Sequence, residues 1–291
     1  MIKHVDLFSG IGGFKIAAEQ VWGSDLETLC FCEINPFCQN VLKQNWPNVP
    51  IIDNVKTLCR RIFHNLDDLQ ADYDPDFVEC AIHRGEDYGE CSCIGTDQFI
   101  DEYGSPDILT AGVPCQPSSI IGRRQGDSDS RWLWPDTFRI IEKLKPTWII
   151  CEQPPGILTL EKGRYFSEII ARFSETGYDV WWETLPASAI GAGHRRERTF
   201  IVAHSSDERL ERHTGDGKIE RKKITDRPAS QANIFPIRDS EFWWRDKCPI
   251  PVVVDGISNR SFWKESIIAT GNAIVPQVVI PIMQAIKQFH A

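Results

Sequence analysis

Val5-Asp6-Leu7-Phe8-Ser9-Gly10-Ile11-Gly12-Gly13-Phe14 is the stretch that decides the fold. A short apolar strand ends in a glycine-rich turn, and a helical pattern runs from about Phe14 to Val21. A strand, turn and helix in this order place backbone N–H groups and a helix N-terminus at the carboxyl edge of a sheet. The next strand, Thr28 to Cys32, ends at Glu33, 20 residues after Gly13. A carboxylate there accepts hydrogen bonds from ribose hydroxyls. The glycines alone also fit a plain tight turn, but with Glu33 the nucleotide reading is the stronger one. The full Gly-x-Gly-x-x-Gly is missing, so a dinucleotide and an adenosyl group both stay open. Asp6-Leu7-Phe8 before the turn is unusual for a dehydrogenase.

Outward from this stretch the same alternation continues. A helix is expected from about Pro36 to Gln44, with Pro36 where its missing N–H costs little. Further strands are expected at Asp107 to Ala111, Trp148 to Cys151, Val180 to Trp182 and Thr199 to Val202. Helices are expected at Trp134 to Leu144, Arg164 to Thr176, and after Pro276 to Phe289. Strands alternating with helices predict an α/β fold with a mostly parallel sheet covered on both faces. Two stretches break the pattern. Residues 60–104 are acidic and poor in apolar periodicity, and read as an insertion. Residues 205–264 are polar and rich in Arg, Lys and Asp, and read as a smaller domain. The catalytic, cofactor-binding domain is then 1–204 plus 265–291.

Composition bounds the rest. The chain has 291 residues, 42% of them hydrophobic and 25% charged, as in soluble globular proteins. No apolar run approaches the ~20 residues of a membrane span, and Met1 to Asp6 carries no signal-peptide core. The ten cysteines are not spaced as a disulfide framework, so a reduced, cytoplasmic setting is expected. The net charge is −9, yet residues 60–107 hold 13 acidic and 3 basic residues, leaving 28 acidic and 29 basic elsewhere. The acidity belongs to one segment and does not exclude a nucleic-acid partner.

Cys115 lies just past a strand in Gly112-Val113-Pro114-Cys115-Gln116-Pro117. Prolines on both sides stiffen the loop, which a merely buried cysteine does not need. A thiolate at a sheet's carboxyl edge is a covalent nucleophile when its surroundings favour ionisation. Glu152 ends the next strand and can face the same pocket. In His194-Arg195-Arg196-Glu197-Arg198, strand geometry would set Arg196 and Arg198 on one face and Arg195 and Glu197 on the other. Two guanidiniums on one face suit a phosphate or a carbonyl oxygen; a solvated charge run is the alternative.

Taken in order, these blocks and Gly271-Asn272-Ala273-Ile274-Val275-Pro276 resemble the DNA (cytosine-5)-methyltransferases, in particular small phage and prophage members. The resemblance spans Asp6 to about Pro276. It implies a class I, Rossmann-like methyltransferase fold using S-adenosylmethionine. Phe8 would pack on the adenine, Gly10, Gly12 and Gly13 would cradle the methionine part, Glu33 would hold the ribose, and Ser9 and Ile34 would be further cofactor contacts. Asp53 or Asn54 would meet the adenine edge, Leu133 matches a further cofactor-contacting block, and Asn272 would help close the pocket. Cys115 would attack cytosine C6, Glu152 would protonate N3, and Arg198, with Arg196 as second choice, would stabilise charge at O2. The base would be flipped out of the duplex. Three departures stand out: Gln153-Pro154-Pro155 after Glu152, where Asn-Val is usual, Ser118 in place of Phe, and His194 in place of Gln. None removes a catalytic group, so an active enzyme is expected.

The resemblance also makes 205–264 the target-recognition domain for double-stranded DNA. From Arg195 to Arg260 there are 14 basic and 11 acidic residues, with Lys218, Arg221, Lys222, Lys223 and Arg227 as phosphate-contact candidates. Trp243 and Trp244 fit a small core as well as a DNA cleft. Inside the insertion, Cys80, His83, Cys91 and Cys93 form a candidate structural zinc set, although Cys-x-Cys is tighter than a standard finger. A monomer in a bacterial host, phage-encoded or part of restriction-modification, is the expected setting. An RNA cytosine-5 methyltransferase on the same scaffold, or a catalytically silent DNA-binding protein, are the alternatives.

Overall fold

A computed structural model of the protein describes residues 1–56, 58, 61–63, 77–79, 99–100, 104–114, 132–193, 195–205, 268–269 and 271–289. The main elements are β1 (Ile2–Leu7), α1 (Gly13–Trp22), β2 (Leu26–Cys32), α2 (Pro36–Asn45), β3 (Ile51–Ile52) and β4 (Ile108–Ala111). They continue with α3 (Trp134–Leu144), β5 (Trp148–Gln153), α4 (Arg164–Glu175), β6 (Tyr178–Pro186), β7 (Glu197–Ser205) and α5 (Pro276–Phe289). Seven strands form one sheet in the order β3-β2-β1-β4-β5-β7-β6. The first five are parallel, and β7 runs antiparallel to both β5 and β6. This is the α/β, mostly parallel sheet that the alternation predicts and the Rossmann-like fold that the resemblance implies.

The strand composition explains the two-sided burial. All six residues of β5 are buried, as expected of a parallel strand covered on both faces. On one face Leu7, Leu109, Ala111, Ile149, Cys151 and Ile201 pack against α3 and α4. On the other, Ile108, Trp148, Ile150 and Phe200 pack against α1 and α5. Burying a side chain such as Phe173 of α4, fully enclosed, contributes about 2–3 kcal/mol.

Two features escape the sequence pattern. β3 has only two residues, too few to show a period. β6 extends well beyond Val180–Trp182 as an edge strand, with Trp181 and Trp182 among the exposed large side chains. Part of the insertion pairs with itself, Arg61–Phe63 lying parallel to Phe77–Glu79. Residues 206–264 of the expected recognition segment and the candidate zinc ligands Cys80, His83, Cys91 and Cys93 lie outside the described residues. Among the described residues no helix is long and apolar enough to cross a membrane.

A polar chain is buried under α1. The Thr110 hydroxyl donates to Asp6 Oδ1 at 2.6 Å and accepts from His4 Nε2 at 2.8 Å, and His4 Nδ1 lies 3.3 Å from Thr28 Oγ1. Burial pushes the Asp6 carboxyl up to about 7 and, with Lys15 nearby, pushes His4 down to about 3. A carboxyl raised in the fold stabilises it at low pH and loses that contribution as pH climbs to the raised value. Relative to Asp6→Asn, the wild type is therefore expected to lose about 1.4 kcal/mol per pH unit between about pH 5 and about pH 7. His4 acts in the opposite sense at acid pH but is common to both proteins, so it cancels. Urea unfolding across that range measures the gap; a constant gap would refute the burial effect.

Candidate active site

Strand order reverses between β1 and β4, and in open α/β sheets ligands bind in the crevice outside the carboxyl ends at such a switch point. Both loops flanking it carry motif residues. Gly112 N–H donates to Leu7 O at 3.2 Å, which holds the Gly112–Pro114 segment beside the glycine-rich turn. That turn is shaped by positive φ at Phe8 (54°), Gly10 (54°) and Gly12 (85°). The Ser9 hydroxyl donates to Asp6 O at 2.7 Å and accepts from Cys32 N–H at 3.2 Å, pinning the turn to β2. Gly12 caps α1 without a side-chain hydrogen bond, so the first amides of the helix meet no capping side chain of their own.

Glu33 stands beside this turn. Its Oε2 accepts from Gly10 N–H at 2.7 Å and its Oε1 from Asn35 N–H at 2.8 Å. Each oxygen keeps further acceptor capacity for hydroxyl donors. Asp53 and Asn54 follow β3, whose Ile52 carbonyl accepts from Glu33 N–H at 2.9 Å, so both sit at the same edge. Ile34 is exposed. Leu133 caps α3 and packs on the core beneath the edge. Asn272 is exposed one residue before Ala273.

Three residues make contacts at or beside the turn that motif reading does not show. A Cβ at Gly12 would lie 2.4 Å from the Trp46 ring, and one at Gly13 would lie 2.6 Å from Ile274 Cγ2. Trp46 is itself held by a 2.9 Å bond from its Nε1 to Glu19 and by packing on Phe31. The third, buried Lys15, pairs with Glu19 at 3.2 Å. The glycines at 12 and 13 are thus required by close approach from α2's end and from the last block, a signal that only the missing Cβ hints at.

The second half of the site lies across β5 and β7. Because β7 is antiparallel, its first residues return to the carboxyl edge, with Gln153 opposite Thr199. Arg198 Nε comes within 2.5 Å of Glu152 Oε1. Burial pushes the Glu152 carboxyl up, while Arg198 and then Arg196 pull it back. Arg196 stays close enough to act electrostatically on both Glu152 and Arg198. It sits one residue before the strand with φ of 28° and donates to Ala273 O at 2.5 Å. Burial and then Arg198 lower its own affinity for a proton. Arg195 pairs instead with Glu197 at 2.8 Å on the exposed side. Cys115 and His194 lie outside the described residues, Cys115 following directly on Pro114. Among the described residues there is no cluster of metal-ligating side chains.

The model of the C-5 cytosine-specific DNA methylase family matches residues 2–73 and 81–246. The type II methyltransferase M.HgiBI of Herpetosiphon aurantiacus is 30% identical over 201 residues, 69% of this chain and 36% of its own length. The type II methyltransferase M2.BsuMI of Bacillus subtilis (strain 168) is 30% identical over 207 residues, 69% of this chain and 42% of its own. The chain therefore spans less than half the length of these two curated relatives. The crystal structure of the S. pombe Dnmt2 methyltransferase superposes with a TM-score of 0.49 at 15% identity, over 77% of this chain and 57% of that one.

Proposed function

This chain belongs to the C-5 cytosine-specific DNA methylase family, and we propose that it methylates C5 of a flipped-out cytosine in double-stranded DNA. The observation that carries this proposal is the Glu152–Arg198 pair at the sheet edge, its carboxylate buried, in register with the strand whose loop leads to Cys115. The glycine-rich turn, the open start of α1 and the doubly held Glu33 carboxylate suit the methionine and ribose parts of S-adenosylmethionine. Bound there, that cofactor supplies the methyl group.

The chain's own residues do the rest. Cytosine C5 is a poor nucleophile. The Cys115 thiolate forms a bond to C6, and the ring electrons move toward N3, which takes a proton from Glu152. A carboxyl raised by burial holds that proton nearer neutral pH than a free one. Arg198 keeps Glu152 oriented and offers N–H groups to the charge developing at O2. C5, now an enamine carbon, accepts the methyl group. A solvent water takes the C5 proton, the C5–C6 double bond re-forms as the C6–S bond breaks to release the Cys115 thiolate, and N3 returns its proton to Glu152. Segment 205–264 is the proposed target-recognition domain, its lysines and arginines meeting phosphates.

Bisulfite sequencing of DNA from cells expressing the chain, beside Cys115→Ala, tests this. One short methylated motif, lost in the variant, is the expected result. Soluble, cofactor-binding protein that leaves DNA unmethylated would overturn the proposal, and methylated RNA in the same cells would redirect it to an RNA substrate.

A further inference from the structure

We infer that Gln153 is a positioning residue that anchors the nucleophile loop to the strand carrying the catalytic carboxylate. Successive residues of a strand face opposite sides of a sheet. Glu152 and Gln153 end β5 together, so one serves each side. Glu152 turns toward Arg198. Gln153, 0% exposed, turns the other way, and its Nε2 donates to Val113 O at 2.8 Å. Val113 belongs to the same core layer as Cys151, which lies two residues before Gln153.

The receiving carbonyl is two residues before Cys115. The next residue, Pro114, has no N–H to offer, so beyond the Gly112 amide the nearest handle on the chain before Cys115 is the Val113 carbonyl. The residue before a proline is also confined to extended backbone, so fixing the Val113 carbonyl sets the direction in which the chain leaves toward Cys115. A buried amide is an unusual choice for this place, because its Oε1 has no donor among the described residues. Retaining it there fits a role for its N–H in holding the loop. The departure from Glu-Asn-Val at this position thus keeps an amide donor on a stem longer by one methylene. Gln153 touches neither base nor cofactor; it acts through the loop.

The inference rests on the proposed methyl transfer for its kinetic consequence but not for its structural one, so two readouts separate them. Gln153→Leu keeps the volume and removes the donor, and Gln153→Asn keeps a donor on a shorter stem. Expected in Gln153→Leu is amide exchange at Cys115 and Gln116 at least about tenfold faster than wild type, with partial return in Gln153→Asn. In single-turnover methyl transfer, Gln153→Leu should slow the chemical step at least about tenfold, with S-adenosylmethionine affinity and melting temperature near wild type. A purely structural role would instead lower affinity and melting temperature together. Exchange unchanged within about twofold overturns the anchor whatever the activity. Faster exchange with an unchanged chemical step leaves an anchor without a catalytic role, which also overturns the inference. Wild-type protein that transfers no methyl group to cytosine, with the exchange effect intact, faults the proposed function alone.

Discussion

Glu152→Gln is expected to lower the rate of methyl transfer by about 10²–10⁴-fold, the range for losing a positioned general acid. Glutamine is nearly isosteric, and it can still offer N–H groups to a ring nitrogen. It cannot give up a proton. It also leaves Arg198 without the carboxylate that lies 2.5 Å from it, so the guanidinium loses its orientation as well. Cofactor affinity should stay within about twofold, because Glu152 is placed on the far side of the switch point from Glu33 and the glycine-rich turn. Arg198→Met separates the two effects. Burial raises the Glu152 carboxyl and Arg198 is the largest influence lowering it. Removing Arg198 therefore raises it further, and the limb of the pH–rate profile on which the proton-bearing form is lost should move to higher pH. Single-turnover rates measured against pH check both. A Glu152→Gln rate within about threefold of wild type would remove this carboxyl from the chemistry.

Gly12→Ala is expected to be the most damaging small substitution in the cofactor turn. With φ of 85°, any Cβ there adds about 1–2 kcal/mol of backbone strain. The new methyl would also meet the Trp46 ring at 2.4 Å. Displacing a ring held by Glu19 and Phe31 adds about 1–3 kcal/mol. Part of that appears as lost stability and part as a shifted turn, so S-adenosylmethionine affinity should fall at least about tenfold. Gly10→Ala is the control. Its φ is also positive, but a Cβ there meets nothing within 4 Å, so only the strain should remain. Gly12→Ala combined with Trp46→Leu should recover the steric share and leave the strain. Thermal unfolding with calorimetric cofactor titration reads both, and equal losses at Gly10 and Gly12 would rule out the Trp46 overlap.

The strands and helices were legible because their residues answer to local rules. The turn at Gly10–Gly13 needs glycine, α2 opens on Pro36 where its ring is harmless, and β5 is apolar from Trp148 to Cys151 because both its faces are covered. The parallel order follows from helices lying between strands. Glu33 was legible for the same reason, since the length of one strand–helix–strand unit sets where a second strand ends. The features that the sequence does not show have no local signature. The two residues of β3 have no period, and Trp46 reads as one more aromatic at a helix end.

The sequence by itself determined the α/β class, the edge on which the motif residues collect, and the chemistry of the side chains gathered there. Only the tertiary structure decided how they divide the work. The reversal of β7 brings Arg198 to Glu152 across the sheet, and Arg196, beside them, is tied to the Ala273 carbonyl of the last block. Strand alternation sends Gln153 away from Glu152 and onto the loop before Cys115. Such pairings depend on direction and register between segments far apart in the chain, and no periodicity within one segment encodes them.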